Sequence, residues 1–216
     1  MAIETKKPMI KETVGGMYYN FNTPTQTGEF NPETYEENVI KCNNIKEIQT
    51  TENASSVVVK ASGEDYETIS QNENVDMAIQ VVAFDPGDLA RMRGDVIGVA
   101  GLNRSGRTAR RPFFAFGKVV KKINGKFEYA WYPKCQLVEN TDNIATKEEN
   151  FSEQNDTVTI RAYSYNDDGD KKTYVNNEMS NFPEGLTESN FFAAPILDDA
   201  DLAAAITPDD NVAPGA

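Results

Sequence analysis

The chain has 216 residues, of which 25% are charged and 39% hydrophobic, a composition typical of a globular domain rather than of a disordered chain. Its formal net charge of −13 disfavours general binding to nucleic acid, because such binding depends on neutralising phosphates. Histidine is absent, which removes the commonest general base and metal ligand, and no apolar run approaches the roughly 20 residues of a membrane-spanning helix.

The first third of the chain predicts an arm, short strands and polar loops. Residues 1–16 are polar and end in a Gly-Gly pair, so we expect an extended arm there. Met17–Phe21 predicts a short aromatic strand, and the β-branched run Val57–Val59 predicts another. The sequence GEDYETISQNEN then predicts a polar loop of about twelve residues, a length that is usually functional or disordered.

The clearest helix signal follows a strand with alternating apolar residues, NVDMAIQVVAF. Asp85 is predicted to be the N-cap, with Pro86 at the first helical position, and Gly94 is predicted to end the helix. Leu89 and Met92 lie three residues apart and are expected to face the core.

Basic residues are concentrated in the middle of the chain. Eight of them lie between Val96 and Phe127, a stretch without any acidic residue. Four belong to a Gly- and Arg-rich loop: Arg104, Arg107, Arg110 and Arg111. This loop is either a contact for a phosphate or a partner, or an exposed solubilising segment, and the negative charge of the whole chain favours protein over DNA as the partner.

A β-hairpin is predicted where PFFAFGKVVKK and KFEYAWYPKC flank Asn124-Gly125, the strongest short hairpin signal. A two-residue type I′ turn would place Lys121 opposite Glu128 and Lys118 opposite Trp131, where a cation–π contact is expected.

The second strand of this hairpin is rich in aromatic residues. Phe127, Tyr129 and Trp131 share one face, and Tyr132 lies on the other. A strand with aromatic residues on both faces is covered on both sides or lies at a subunit boundary. We expect Trp131 and Tyr129 to point inward beneath the helix.

The last part of the chain predicts a second hairpin and a loose tail. Val158, Ile160 and Ala162 share one face of a strand, and NDDGD forms the turn that follows, without the spacing of a calcium-binding EF-hand loop. A short helix is predicted near Asp199–Ile206, and the Pro-, Ala- and Asp-rich end is expected to be loose.

No catalytic motif is present, and the paired carboxylates are expected to be solvated faces. Cys42 and Cys135 are too few for a disulfide scaffold and are expected to be buried thiols in a reducing cytoplasm. We therefore expect no enzyme, no cofactor and no metal. A glycosidase that uses two carboxylates is a weaker alternative, because no acidic pair lies in an apolar setting.

The order of features from Val57 to Asn176 resembles the major tail proteins, or tail tube proteins, of long-tailed, non-contractile bacteriophages. The most specific parts are GKFEYAWYPKCQ and the later TKEENFSEQNDTVTI. The resemblance implies a mainly β protein, a β-sandwich of the tail-tube type with one short packed helix, extended terminal arms and long loops. It divides the chain into an N-terminal arm (1–16), a β-sandwich domain (17–185) and a partly disordered C-terminal arm (186–216).

The resemblance also implies a function in the virion tail, after assembly in the host cytoplasm. Six copies would form a ring, and stacked rings would form a tube around the tape measure protein and later conduct genome DNA without binding it specifically. Tail terminator and distal tail proteins are further expected partners, and no membrane is. In such a tube the long loops and arms make the contacts between subunits and rings, and the candidates here are Asp65, Tyr66 and Glu67 with the four arginines. The core candidates are Trp131, Tyr129, Phe127, Leu89 and Met92.

A different class of function stays open at this point. A β-sandwich on a virion or cell surface could recognise carbohydrate or protein through the aromatic strand. That alternative predicts a monomer or a small closed oligomer with exposed Tyr or Trp side chains.

Overall fold

A computed structural model describes residues 5–24, 28–61, 64–106, 111–142, 144, 146 and 155–206. The described chain is mainly β, as expected, with a large antiparallel sheet and a few short helices. The strands of the large sheet are β1 (Lys11–Phe21), β2 (Ile40–Cys42), β3 (Ile45–Ala61), β4 (Glu64–Val81), β7 (Phe114–Lys122), β8 (Phe127–Thr141), β9 (Asp156–Ala162) and β10 (Thr173–Asn176). The remaining elements are α1 (Pro86–Arg93), the short pair β5 (Val96–Ile97) and β6 (Asn103–Arg104), α2 (Glu188–Phe191) and α3 (Asp199–Ile206).

The large sheet folds over on itself. Its order is β2-β1-β7-β8-β9-β4-β3, with β10 added at β8, so β2 and β3 stand at opposite ends although only two residues separate them in the chain. The chain bends at Asn44, whose backbone carbonyl accepts a hydrogen bond from the N–H of Val82. The two ends of the sheet are thereby brought together, and side chains of β1 and β4 share one core.

That inner core lies between the two halves of the folded sheet, as between the layers of a sandwich. Its largest fully buried side chains include Met17, Phe116, Tyr132 and Met77. Helix α1 closes one end of this core, where Met92 is buried and Leu89 packs at the margin.

Helix α1 is built as the sequence predicted. The Asp85 carboxylate accepts hydrogen bonds from the N–H groups of Gly87 and Asp88, at 2.9 and 3.0 Å. Pro86 occupies the first helical position, and Gly94 ends the helix in the left-handed conformation with φ 76°. The predicted helix at Asp199–Ile206 is also confirmed.

Strand β1 begins at Lys11, so the expectation of an arm through residue 16 is wrong for residues 11–16. The glycines there are not a break between arm and strand. A Cβ at Gly15 would lie 2.5 Å from Cγ1 of Val119, so only glycine permits this close approach of β1 to β7. The pairing between β1 and β7 shifts register at two places, between Lys11 and Thr13 and between Val14 and Gly16. With these irregularities the polar segment 11–16 is still part of the sheet.

The hairpin at Asn124-Gly125 has the predicted positive φ angles, 59° and 67°, but its register is one residue away from the prediction. The N–H of Ile123 donates to the carbonyl of Ile10 instead of to Lys126, so Ile123 is left out of the ladder. Lys121 therefore pairs with Phe127, and Lys118 pairs with Ala130. The expected contact of Lys118 with Trp131 was wrong.

The predicted second hairpin has a different pairing. The turn at Asn166–Asp170 is present, and Val158, Ile160 and Ala162 are buried on one face of β9. However, β9 pairs with β4 and β8, whereas β10 pairs with β8. The turn therefore connects two strands that pair with different parts of the same edge of β8, β9 with residues 135–141 and β10 with residues 128–131.

A second core covers the outer face of β7 and β8. It contains Tyr129 and Trp131, with Phe127 at its margin, and its cover is the segment that follows β10, which contributes Leu186, Phe191, Phe192 and Ile196. Trp131 thus lies beneath this segment and not beneath α1, since α1 packs on the opposite face of the sheet.

Candidate assembly surfaces

The β3–β4 hairpin projects beyond the rest of the sheet. β4 pairs with β9 only from Val75 to Val81, whereas its pairing with β3 continues outward to Glu64. The distal ribbon, residues 54–61 and 64–72, spans about 25 Å at the usual rise of a strand. Each described side chain between residues 54 and 67 is exposed.

The predicted polar loop over GEDYETISQNEN was therefore wrong from Glu64 onward, because residues 64–74 belong to β4, while Gly63 lies outside the described residues. A strand that is solvated on both faces shows no apolar alternation, so its sequence is hard to distinguish from that of a loop. Of the candidate contact residues, Tyr66 and Glu67 are exposed on this ribbon, and Asp65 directly precedes them in the strand.

Strand β3 is the last strand of the sheet, and it is 17 residues long. Within the described chain, its outer edge is not paired with another strand. Exposed edges of this length are usually shortened or covered in monomeric proteins, because they can pair with another chain.

Near its base, β3 faces the first residues of β1 across an open groove of about 410 Å³. Lys118 lies on its floor and donates a 2.7 Å hydrogen bond from Nζ to Oγ1 of Thr50, with the ring of Tyr132 5.3 Å away. Burial lowers the pKa of this ammonium to about 8, and the nearby charge of Lys172 acts in the same direction. The first residues of β1 and the base of β3 therefore meet beside Lys118, whose protonated form is destabilised by burial in the folded protein.

This lysine predicts a stability that rises with pH in a defined window. Between pH 8 and 10 an unfolded Lys118, with its pKa near 10.4, binds more protons than the folded one, so this residue adds about 1–2 kcal/mol to the free energy of unfolding. Burial also raises the pKa of several tyrosines, that of Tyr129 to about 12, and because an unfolded tyrosine ionises near pH 10, these groups begin to lower the free energy of unfolding within the same window. The contribution of Lys118 is therefore the difference between the wild-type protein and a variant without this lysine. Urea unfolding at pH 7 to 10 measures the increase, and Lys118→Met is expected to abolish it. An equal increase in both proteins would contradict the assignment to Lys118.

The basic loop is only partly a free surface. Arg104 is exposed in β6, whereas Arg107 and Arg110 lie outside the described residues. The Arg111 guanidinium donates to the carbonyls of Leu137 and Val138, at 2.6 and 2.9 Å, so it anchors the loop to β8.

The aromatic strand does not form a surface platform for ligands. Trp131 is fully buried, and its indole N–H donates to the carbonyl of Phe191 at 3.0 Å. Tyr129 is buried against Phe191 and Phe192, with ring centroids 5.6 Å apart in both pairs. The exposed aromatic strand that a carbohydrate- or protein-binding module requires is therefore absent from this face of β8.

The segment that covers Trp131 is tied to the sheet by an ionic contact. Glu188 accepts hydrogen bonds from the hydroxyl of Tyr18 and from Nζ of Lys41, the latter at 2.8 Å. Burial alone would raise the pKa of the Glu188 carboxyl, but these two donors lower it below its usual value. Sequence reasoning missed this cover, although the apolar run NFFAAPIL was a signal for it.

Within the described residues, no group of three or more Cys, Asp or Glu side chains is placed to hold a metal ion. Both cysteines are free thiols, Cys135 buried and Cys42 half-buried. None of the described helices is both long enough and apolar enough to span a membrane.

No protein-family model matches the chain, and no curated protein matches it. Among solved structures, it is similar to a chain in the cryo-EM structure of the six-fold symmetrised baseplate of the anti-feeding prophage. The identity is 10% and the TM-score 0.41, over 81% of this chain and 100% of that chain.

Proposed function

We propose that the chain is a structural virion protein that self-assembles into the tail tube of a long-tailed bacteriophage. Six copies form a ring, and stacked rings enclose the tape measure protein and later conduct the genome. The observation that carries the proposal is the distal ribbon of β3 and β4 with the unpaired outer edge of β3.

This ribbon is poorly explained in a monomer. A two-stranded hairpin that is exposed on both faces is marginally stable in water, and it gains stability when its edge or a face is covered by another chain. Pairing of β3 with a strand of the next copy would continue the sheet between subunits, as the resemblance to tail tube proteins implies.

The charge distribution supports contacts between copies. The distal ribbon carries the acidic residues Glu64, Asp65 and Glu67, whereas the segment from Arg104 to Arg111 is basic. Both surfaces are assigned to contacts between subunits or rings, together with Tyr66, because opposite charges steer copies into register. The net charge of −13 suits a lumen through which DNA slides, since anionic walls repel phosphate.

The chain acts without catalysis and without a cofactor, assembles in the host cytoplasm and resides in the virion tail. Its partners are other copies of itself, the tape measure protein, and the tail terminator and distal tail proteins at the two ends of the tube.

Negative-stain electron microscopy with light scattering over a concentration series tests self-assembly. We expect stacked rings or tubes, either spontaneously or after addition of the tail-tip complex that initiates the tube. A protein that stays monomeric at high concentration, even with that initiator, would contradict the proposal.

A further inference from the structure

The short β5–β6 hairpin ends in an exposed apolar tip, residues 97–102. Ile97 is 58%, Val99 109% and Leu102 70% exposed. These side chains follow one another in a tight loop, which distinguishes them from single apolar residues scattered over a surface. A contiguous apolar tip of this kind marks a contact with another protein.

The conformation of the tip is fixed by the chain itself. The N–H of Gly98 donates to the carbonyl of Leu102, and the N–H of Gly101 donates to the carbonyl of Gly98. A Cβ at Gly98 would lie 2.3 Å from the Leu102 carbonyl oxygen, and Gly101 has a φ of +88°. Both positions require glycine, so the apolar side chains are presented on a preorganised loop.

A matching hollow lies elsewhere on the chain, between β10 and α3. It has a volume of about 250 Å³, and no residue of the β5–β6 hairpin lines it. Tyr174 and Met179 form its half-exposed apolar rim, and Phe182 and Leu202 lie deeper, packed against the outer core.

The charges at the two surfaces are opposite. Asp199, exposed in the first turn of α3, is the charged residue in the lining of the hollow. An adjoining hollow adds Asp168, Asp170 and Asp198, with Lys172 as its basic member. Arg104 pairs with Val96 at the base of the tip, so a positive charge lies beside the apolar side chains of the tip.

We propose that the apolar tip of one copy inserts into the hollow between β10 and α3 of a neighbouring copy. Val99 and Leu102 contact Met179 and Leu202, and Arg104 lies on the acidic side of the hollow. This contact rests on the proposed function, because it requires that copies of the chain meet in an ordered assembly.

In the proposed arrangement each copy gives its tip to one neighbour and receives the tip of another in its hollow, which makes the contact heterologous. Each copy then offers one tip and one hollow, so the contact propagates from copy to copy and closes a ring or continues as a filament. Both outcomes are compatible with a tube of stacked rings.

Disulfide cross-linking between two differently substituted proteins tests the contact. Val99→Cys and Met179→Cys are prepared separately, mixed, assembled and oxidised, the dimers are isolated on a non-reducing gel, and mass spectrometry of their peptides identifies the cysteines that are joined. Both positions are exposed, so neither substitution should impair folding. A disulfide requires Cα atoms within about 7 Å, so we expect a covalent heterodimer only if the tip enters the hollow.

The matched control is a mixture of Val99→Cys with Ile10→Cys, because Ile10 is 70% exposed and lies outside the hollow. The dimer joined by a disulfide between positions 99 and 179 is called the 99–179 product. We expect its yield to exceed the yield of the corresponding 99–10 dimer in the control by at least about tenfold, as for a specific contact. The wild-type chain, with Cys42 and Cys135, measures the background.

Each outcome separates this contact from the function on which it rests. Tubes without the 99–179 product would overturn the contact and leave the proposed function in place. The product without tubes would support the contact and contradict the tube. The absence of both would remove both proposals.

Discussion

Trp131→Ala is expected to lower the free energy of unfolding by about 3–5 kcal/mol, the usual cost of truncating a buried tryptophan. Trp131 is fully buried in the outer core, with the ring of Phe192 5.3 Å away. Its removal leaves a cavity between β8 and the covering segment. It also leaves the carbonyl of Phe191 without its 3.0 Å hydrogen bond. Because a typical domain is stable by only about 5–15 kcal/mol, we expect little soluble protein at 37 °C.

Trp131→Phe is the matched control for this variant. It keeps most of the apolar volume and loses the indole N–H, so we expect a smaller loss of stability, about 1–3 kcal/mol. Since Trp131 is the only tryptophan of the chain, unfolding must be followed by circular dichroism instead of tryptophan fluorescence. A Trp131→Ala protein that melts at the wild-type temperature and still assembles would show that this residue is not part of the core.

Local signals in the sequence predicted the local structure well. The cap of α1 depends on Asp85, Pro86 and Gly94, which are adjacent in the chain and act through their own backbone geometry. The turn at Asn124-Gly125 was predicted for the same reason. Its register was not, because Ile10, more than 100 residues away in the chain, accepts the hydrogen bond that the hairpin prediction assigned to Lys126.

Contacts between distant segments could not be predicted from the sequence. The aromatic face of β8 correctly indicated a strand covered on both sides, but the cover comes from Phe191 and Phe192 and not from α1. Likewise Gly15 was interpreted as part of an extended arm. Only the position of Val119 shows that this glycine permits a close strand approach. In each case the residue that explains the local structure is distant in the sequence, and no local sequence pattern identifies it.

Removal of the distal ribbon is expected to abolish assembly while leaving the subunit folded. In the variant, Asn53 is joined to Asn74 through an Asn-Gly dipeptide, which suits a type I′ turn between these paired positions. The inner core is retained, since Val75 and Met77 lie on the remaining part of β4. The described side chains that are lost are exposed, so the melting temperature should change by only a few degrees.

The expected effect on assembly is large. Loss of a contact that dominates an interface costs about 2–4 kcal/mol, and each 1.4 kcal/mol is tenfold in an equilibrium constant. The concentration needed for tubes should therefore rise about 25-fold to 700-fold, which light scattering and electron microscopy can measure. The control variant E64Q/D65N/E67Q keeps the ribbon and removes its negative charge. It should still form tubes, with weaker dependence on salt, because pairing along β3 uses the backbone.

The two variants together separate strand pairing from charge as the cause of assembly. If the truncated chain forms tubes of wild-type diameter at wild-type concentration, the ribbon is not a contact between subunits. The long unpaired edge of β3 would then need another explanation. If the charge variant alone fails to assemble, the acidic side chains of the ribbon are essential for the contact and the free edge of the strand does not suffice. Loss of assembly in the truncated chain, with tubes retained in the charge variant, is the result that the geometry of β3 and β4 predicts.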